Sequence, residues 1–547
     1  MNSKNNSNNF LVQGAILAAA SILVRIIGLI YRIPLNNILG EKGIAYYGVA
    51  YDVYSILLLL SSYSMPLAVS KMVSARVALG QYKNTRKILI HAICFSLLCG
   101  IAAFAITFFG AGFFARALNF PQSELALKVL SPALIIMSVL GTLRGYFQGF
   151  STMIPTAVSN IFEQIINAFV SVAAAMILFK SAGENATASS AGARGAAGGT
   201  LGTVSGAFAA LLFMIALTVM FRSVIKRKEA KDKTTAVLRS SEILKVIIFT
   251  ILPVILSTTI YNIGSLLDTG VFSNLMKVKG IDQDVIETLT GMYTGNYRLI
   301  INVPIALASA LASSLIPSIV TSMMLRQRKV VIAKIRSSIK LTMIVAFPCA
   351  VGIGVLAKPI VNLLFASSTD PDKVALMLMI GVISVVLYSL STITNSILQG
   401  LDKMNLPVRH SAISLGIHAV FLVLMILITD LNIFCVVIAD ILFALVICIL
   451  NHISLRRLIG YRQEKMRTFI LPFACSAIMG LFTRLAYNLF RLLKFGNTIS
   501  TILAILIAIV IYVVALFKLN VVSKKELLML PGGTKMSMVA GKLHLLR

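Results

Sequence analysis

The chain has 547 residues, of which 58% are hydrophobic and only 12% charged. A soluble globular domain carries about 25% charged residues, so a water-soluble chain is excluded and an integral membrane protein is expected. The formal net charge of +30 comes from Lys and Arg in short loops between apolar runs, the pattern of the positive-inside rule rather than of a nucleic-acid-binding surface.

Met1 to Asn9 is polar. The apolar segment after it, about 11–39, is too long for a signal-peptide core and shows no small-residue cleavage site, so it is expected to stay as the first span. Inside it lies Arg25-Ile-Ile-Gly28-Leu-Ile-Tyr31-Arg32-Ile-Pro34. A charge near the bilayer centre costs roughly 2.5–3.5 kcal/mol on insertion scales, and the nearest carboxylate in sequence, Glu41, is outside the segment. Arg25 and Arg32 are seven residues apart and therefore project from nearly the same helix face. That predicts a kinked helix aiming two cations into a water-filled cavity. Snorkelling to a headgroup layer accounts for Arg32, near the segment's end, better than for Arg25, near its middle.

With about 20 apolar residues per span, the sequence predicts 14 spans: about 11–39, 44–70, 88–112, 125–149, 156–180, 200–222, 243–274, 287–317, 338–366, 374–400, 407–430, 434–455, 468–490 and 498–520. The loops after spans two, six, eight and twelve carry clusters of Lys and Arg, such as Lys71 to Lys87 and Arg456 to Arg467. The loops after odd-numbered spans carry few cations and several acids. Even loops and both termini are therefore expected in the cytoplasm. Ser181–Gly199, rich in Ala, Gly and Ser, reads as a flexible external connection. Met323 to Lys340 reads as a basic helix on the inner membrane surface or a solvated loop. The six cysteines lie in or beside apolar segments without metal-ligand spacing and read as small buried hydrophobes.

Other charges lie within spans. Asp52 in span two is placed at the external end of a cavity. Arg144 in span four and Glu163 in span five are spaced to pair across helices near the inner face. Asp268, deep in span seven, is a cation or proton site or the counter-ion of an arginine. Arg298 in span eight precedes Pro304, as Arg25 and Arg32 precede Pro34; snorkelling explains it about as well as a site does. Asp440 and Arg484 are weaker candidates. Tyr46, Tyr47, Tyr51 and Tyr54 read as an interfacial belt.

Two segment pairs share one offset, 251 residues: Pro66-Leu-Ala-Val-Ser-Lys-Met72 with Pro317-Ser-Ile-Val-Thr-Ser-Met323, and Gln148-Gly-Phe-Ser-Thr-Met153 with Gln399-Gly-Leu-Asp-Lys-Met404. This repeat spans six helices, an even number, and predicts two lobes of like orientation with a binding site between them. The expected organisation is an N-terminal lobe over 1–225, a C-terminal lobe over 226–460, and two further spans with a tail over 461–547. The sequence contains no Walker loop, metal-ligand cluster or nucleophile elbow. No cofactor or metal is expected, and transport would draw on a monovalent cation, a proton or the membrane potential.

The stretch Ser21 to Arg32, the run Tyr297-Arg298-Leu with Pro304 ahead of Leu315-Ile-Pro317-Ser, and the turn Leu143-Arg-Gly-Tyr-Phe-Gln-Gly149 with Pro155 resemble one family over nearly the whole chain. It is the MurJ-type lipid II flippases and the related stage V sporulation protein B group, in the superfamily that includes polysaccharide exporters and MATE antiporters. The resemblance implies 14 helices in two lobes, arginines of helices one and eight that bind a diphosphate, and a lipid-tail groove at helices thirteen and fourteen. Arg25 and Arg298 match family arginines; Tyr31 holds the other strict position, and Arg32 lies one residue beyond. The implied function is flipping of an undecaprenyl-diphosphate-linked peptidoglycan precursor, lipid II, across the bacterial cytoplasmic membrane by alternating access. The protein would be a monomeric transporter rather than an enzyme, with a lipid-linked diphosphate saccharide and membrane lipids as its partners. The alternatives are export of another lipid-linked polysaccharide or spore-wall precursor, and MATE-like drug or cation antiport. Arg25, Arg32 and Arg298 are expected to share one cavity with Asp52 at its external end.

Overall fold

A computed structural model describes residues 2–183, 185–232, 234, 238–324 and 327–521. Within them every regular element is helical. In hydrocarbon each backbone N–H and C=O must be satisfied inside its own segment, and for a chain of this apolarity the helix is the solution. The chain divides into two compact units, Met1–Gly295 with Leu422–Asn432, and Asn296–Phe421 with Ile433–Arg547.

The first unit holds α1 (Asn2–Leu58), α2 (Met65–Ala78), α3 (Tyr82–Ala117), α4 (Glu124–Leu130), α5 (Pro132–Gly149), α6 (Ile154–Lys180), α7 (Ala188–Ala230), α8 (Ser240–Val278) and α9 (Gln283–Gly291). The second holds α10 (Arg298–Met324), α11 (Arg328–Val355), α12 (Ala357–Leu364), α13 (Pro371–Gly400), most of α14 (Asn405–Ile428), α15 (Phe434–Ile459), α16 (Leu471–Leu492) and α17 (Asn497–Lys518). Among the described residues, eleven helices are long and apolar enough to cross a membrane. One of these, Ala19–Ala78, covers both of the first two expected spans, and α8 and α10 are not among the eleven. The chain is an all-α, multi-pass membrane protein.

Three local features shape the first unit. Within α1, Gly40 sits at φ 63° and ψ −178°, a conformation essentially confined to glycine; it separates two helical stretches. After α1, Leu59–Tyr63 forms a π-helical turn just ahead of Pro66 in α2, where proline has no N–H to give and crowds the preceding turn. Along α5, Gly145 and Gly149 lie against α2: a Cβ at 145 would be 2.7 Å from the Pro66 carbonyl oxygen, and one at 149 would be 2.5 Å from the Val73 Cβ. Between apolar helices in lipid the attraction is close packing, which small residues permit. The core there joins Met65, Val69 and Val73 of α2 to Ile88 of α3, Tyr146 of α5 and Ile247 of α8.

The expectation of a flexible loop over Ser181–Gly199 is corrected. Thr187 caps α7, its hydroxyl accepting from the Ser190 N–H at 3.2 Å, and Ala188 onward is helix. Gly195, Gly198, Gly202 and Gly206 recur at three- and four-residue spacing and face neighbouring helices, most of them α6. A Cβ at 198 would lie 2.4 Å from the Ala174 carbonyl oxygen, and one at 206 would lie 2.5 Å from that of Glu163. Composition alone suggests a linker, whereas helical spacing of the glycines makes a packing face.

In the second unit, α11 starts at Arg328, so that part of Met323–Lys340 is neither a separate surface helix nor a loop. Val331, Ile335 and Ile339 are buried with Ile393, Ile397 and Leu398 of α13 and Leu455 of α15; residues 325–326 lie outside the described residues. Cys435, Cys448 and Cys475 are buried as expected, but Cys94 is exposed on α3, and all six cysteines are free.

Both copies of the repeated turn adopt one geometry. Ser151 has φ 60° and Asp402 has φ 59°. The Ser151 N–H donates to Gln148 O at 2.9 Å, and the Asp402 N–H to Gln399 O at 3.0 Å. At the head of α13, Asp370 accepts from the Lys373 N–H at 2.9 Å, and this bond, with the Lys373 ammonium, holds its carboxyl below the usual carboxylate range.

Candidate functional site

In the first unit, Arg32 and Tyr51 lie on opposite sides of the Gly40 bend, and the guanidinium of Arg32 stands over the Tyr51 ring, 5.9 Å from its centroid. This is cation–π geometry. Among the described residues Arg32 forms no ion pair, and it keeps part of its surface accessible. Arg25, one face-repeat earlier, is exposed; between them Gly28 lets α6 approach, its Cβ position being 3.2 Å from the Gln164 amide nitrogen.

A polar shell fixes the tyrosines. The Tyr51 hydroxyl and Thr203 Oγ1 of α7 are 2.6 Å apart. Thr203 Oγ1 is 3.5 Å from Asn167 Oδ1, and the Asn167 Nδ2 donates to the Tyr31 hydroxyl at 3.4 Å. Ser171 Oγ, one turn on, donates to Asn167 Oδ1 at 2.9 Å and to Gly199 O at 2.8 Å. Tyr51 packs on Tyr47 and Tyr54, with centroids 5.0 and 5.6 Å away. The expectation that Tyr46, Tyr47, Tyr51 and Tyr54 form an interfacial belt is therefore corrected: Tyr46, Tyr47 and Tyr54 are buried, and the Tyr46 hydroxyl donates to Glu287 of α9. Buried hydroxyls generally find partners inside the protein, and those of Tyr46 and Tyr51 do so on α9 and α7.

Both carboxylate oxygens of Asp52 accept from Ser265 Oγ of α8 at 2.9 Å. Asp268 follows Ser265 by three residues on the same helix and is 5% exposed. Arg144 of α5 donates from Nη2 to Glu163 Oε2 of α6 at 2.7 Å and to Ser159 Oγ at 2.8 Å, joining the two helices on either side of the repeated turn.

In the second unit, Arg298 opens α10 directly after a π-helical turn, Met292–Tyr297, and is half-buried. The Tyr297 ring fills the space where a Cβ at Gly381 would sit, 2.2 Å from its hydroxyl oxygen. Arg298 and Asp440 are the charges that act on that hydroxyl, and Asp440 accepts from the Tyr388 hydroxyl at 3.3 Å. Asn296 Nδ2 reaches Ser368 Oγ at 3.4 Å. Among the described residues, no group of three His, Cys, Asp or Glu side chains forms a metal site.

Sequence reasoning singled out Arg32 but missed Asn167, Ser171, Thr203 and Ser265. The available signal was polar residues at helical spacing in apolar helices, as with Asn167 and Ser171.

Comparison with known proteins follows the same lines. A family described as "Polysaccharide biosynthesis protein" matches residues 11–324. The lipid II flippase MurJ of Bacillus subtilis (strain 168) is 25% identical over 481 residues, 85% of this chain and 86% of that protein. Stage V sporulation protein B of the same organism is 22% identical over 525 residues, 95% of this chain and 98% of that one. Among solved structures, an inward-facing MATE-family multidrug resistance transporter of the MOP superfamily is 15% identical, with a TM-score of 0.64 over 82% of this chain and 98% of its own. A lipid II flippase MurJ in an inward closed conformation, also 15% identical, gives 0.63 over 92% and 98%. The fold is that of the MurJ and MATE transporters, and with more than half of its length matched, the chain belongs to the polysaccharide biosynthesis protein family.

Proposed function

We propose that this protein is a flippase that carries a lipid-linked diphosphate saccharide, of the lipid II type, across the cytoplasmic membrane by alternating access. The observation that carries this reading is Arg32: a guanidinium within an apolar bundle, stacked on a tyrosine that is itself hydrogen-bonded, with no ion-pair partner among the described residues. Guanidinium forks match phosphate oxygens in paired hydrogen bonds, and a substrate diphosphate would supply the missing anion. Arg25 and Arg298 are assigned to the same task and Asp52 to the cavity's external end, in two lobes with fourteen spans and both termini in the cytoplasm. The similarity to lipid II flippase MurJ supports the lipid-linked substrate.

Asp268 is assigned to cation or proton coupling, as a buried carboxylate on a membrane helix. Asp268→Asn should then impair transport in a folded, inserted protein.

The test is rescue of a cell depleted of its lipid II flippase, together with binding of the lipid-linked diphosphate to the purified protein. Arg32→Lys keeps the charge and loses the planar fork, so rescue and binding should both weaken. Normal rescue and binding by Arg25→Ala, Arg32→Ala and Arg298→Ala would overturn the assignment. The similarity to stage V sporulation protein B favours a second reading, a spore-wall precursor as substrate; restoration of sporulation without rescue of vegetative growth would select it.

A further inference from the structure

The connection between α7 and α8 joins the two halves of the sequence repeat, and Asp232, Thr234 and Leu238 are among its described residues. Although the stretch is short and polar, Asp232 is only 7% exposed. Its Oδ2 accepts from the Lys83 backbone N–H at 2.8 Å, and its Oδ1 accepts from the Thr234 N–H at 2.8 Å and from the Thr234 hydroxyl. Six residues on, the Leu238 N–H donates to Asn84 Oδ1 at 3.0 Å. Ser240 Oγ, at the head of α8, lies 2.8 Å from His91 Nε2. Near the end of α7, the Lys228 ammonium stands over the Tyr82 ring, 5.3 Å from its centroid.

Tyr82, Lys83, Asn84 and His91 all lie in the first three turns of α3. A helix start leaves backbone N–H groups without partners in the helix, and the N-cap side chain ordinarily meets one of them. Gln81 holds the N-cap position of α3 and does not do so. Its Oε1 accepts instead from Arg76 Nη1 at 3.1 Å and from Asn84 Nδ2 at 3.2 Å. Asp232 supplies the cap from 149 residues away, and its charge suits the positive end of the helix. Past the connection, Ile243 and Ile247 of α8 are buried with Met65 and Val69 of α2 and Ile88 of α3. Further along, Ser265 of α8 bonds Asp52 of α1. The repeat counts α8 as the first helix of the second half, yet it is fastened to the first half at three levels.

We propose that the connection is a docked strap: Asp232 and Asn84 pin it to the start of α3, and α8 therefore moves with the first half of the repeat during transport. The mechanical boundary then lies beyond α8 and not at 225/226. The docking is independent of what the protein carries; its consequence for movement rests on the alternating-access reading above.

The test pairs limited trypsin digestion of the purified full chain in nanodiscs with flipping of a lipid-linked diphosphate in proteoliposomes. Trypsin cuts a folded chain through local opening, and Lys231 and Arg239 are its sites on the strap. Asp232→Ala should raise the cleavage rate there about fivefold, the equivalent of one N-cap interaction, and should slow flipping. Asp232→Asn keeps one acceptor oxygen and should stand between it and wild type. Asn84→Cys and Leu238→Cys, introduced with the six native cysteines replaced by alanine, can be joined by a short bifunctional thiol reagent. A strap that stays docked tolerates this tether, so flipping should match that of the same chain without reagent, and the tether should restore flipping to Asp232→Ala. An Asp232→Ala chain cleaved like wild type would overturn the docking. A tether that stops flipping would overturn the claim that α8 moves with the first half. An untethered chain that flips nothing counts against the proposed function instead, and the trypsin comparison still decides whether the strap is docked.

Discussion

Replacing Gly198 or Gly202 of α7 by alanine tests whether the glycine face sets the distance between α6 and α7. A Cβ at 198 meets backbone on α6, 2.4 Å from Ala174 O and 2.7 Å from Ala175 N; one at 202 lies 2.5 Å from Ser171 N and 2.6 Å from Asn167 O. Ordinary contact starts near 3.4 Å, so α7 must retreat by about 1 Å, and no side-chain rotation relieves a clash with backbone. Overpacking of this kind costs about 1–3 kcal/mol, and the gain in helix propensity returns up to about 1 kcal/mol. The net expectation is a loss of about 1–2 kcal/mol per substitution, or about 1–2 °C of melting temperature at roughly 2 cal/mol/K of unfolding entropy per residue. Gly416 of α14 is the control, since a Cβ there has nothing within 4 Å, and Gly416→Ala should melt at or above wild type. Gly202→Ala should also weaken substrate binding, because Ser171 and Asn167 belong to the shell around Tyr51. The assay is thermal unfolding of the purified protein with lipid-linked diphosphate binding measured on the same samples. If Gly198→Ala and Gly202→Ala melt with Gly416→Ala, the close packing is not what holds these helices.

Arg144→Met should destabilise by about 2–3 kcal/mol, somewhat less than the roughly 3–5 kcal/mol for a fully buried stranded charge, because Glu163 keeps 22% of its side chain exposed; adding Glu163→Met should recover part of the loss in thermal unfolding. Asp370 has its carboxyl held below the ordinary value, so its contribution to stability is present above about pH 4 and lost as pH falls through the folded-state value; Asp370→Asn should remove that segment from the stability-versus-pH curve. Topology reporters belong at Gly183 and Lys231, which flank α7, rather than at Ala191 within it. Gly183 should report the exterior and Lys231 the cytoplasm, and the reverse result would invert the proposed orientation.

The repeated turn shows how far local sequence reaches. Gln148-Gly149 and Gln399-Gly400 end their helices the same way because the left-handed residue two positions after each glycine closes the same hydrogen-bonded turn. Ser181–Gly199 shows where it stops. A run of glycine and alanine is a linker in water and a packing face against another apolar helix, and only the presence of α6 distinguishes the two. The tyrosines of α1 belong to the same class: their hydroxyls suit an interface in isolation, and Thr203 and Glu287, 152 and 241 residues away from their partners, draw them inward.

Apolar content and the length of its runs determined by themselves that this chain is a helical, multi-pass membrane protein, since a backbone in hydrocarbon has one local way to satisfy its hydrogen bonds. The cost of a charge in lipid likewise singled out Arg25, Arg32, Asp268 and Arg298 from sequence. The tertiary structure alone decided what surrounds them: that Arg32 lies over Tyr51, that Asp52 meets Ser265, and that Asn167, Ser171 and Thr203 form the supporting shell. Most of those contacts cross the Gly40 bend or join residues on different helices, and their geometry depends on how closely the glycine faces let the helices approach. Spacing along a single helix carries no record of that distance.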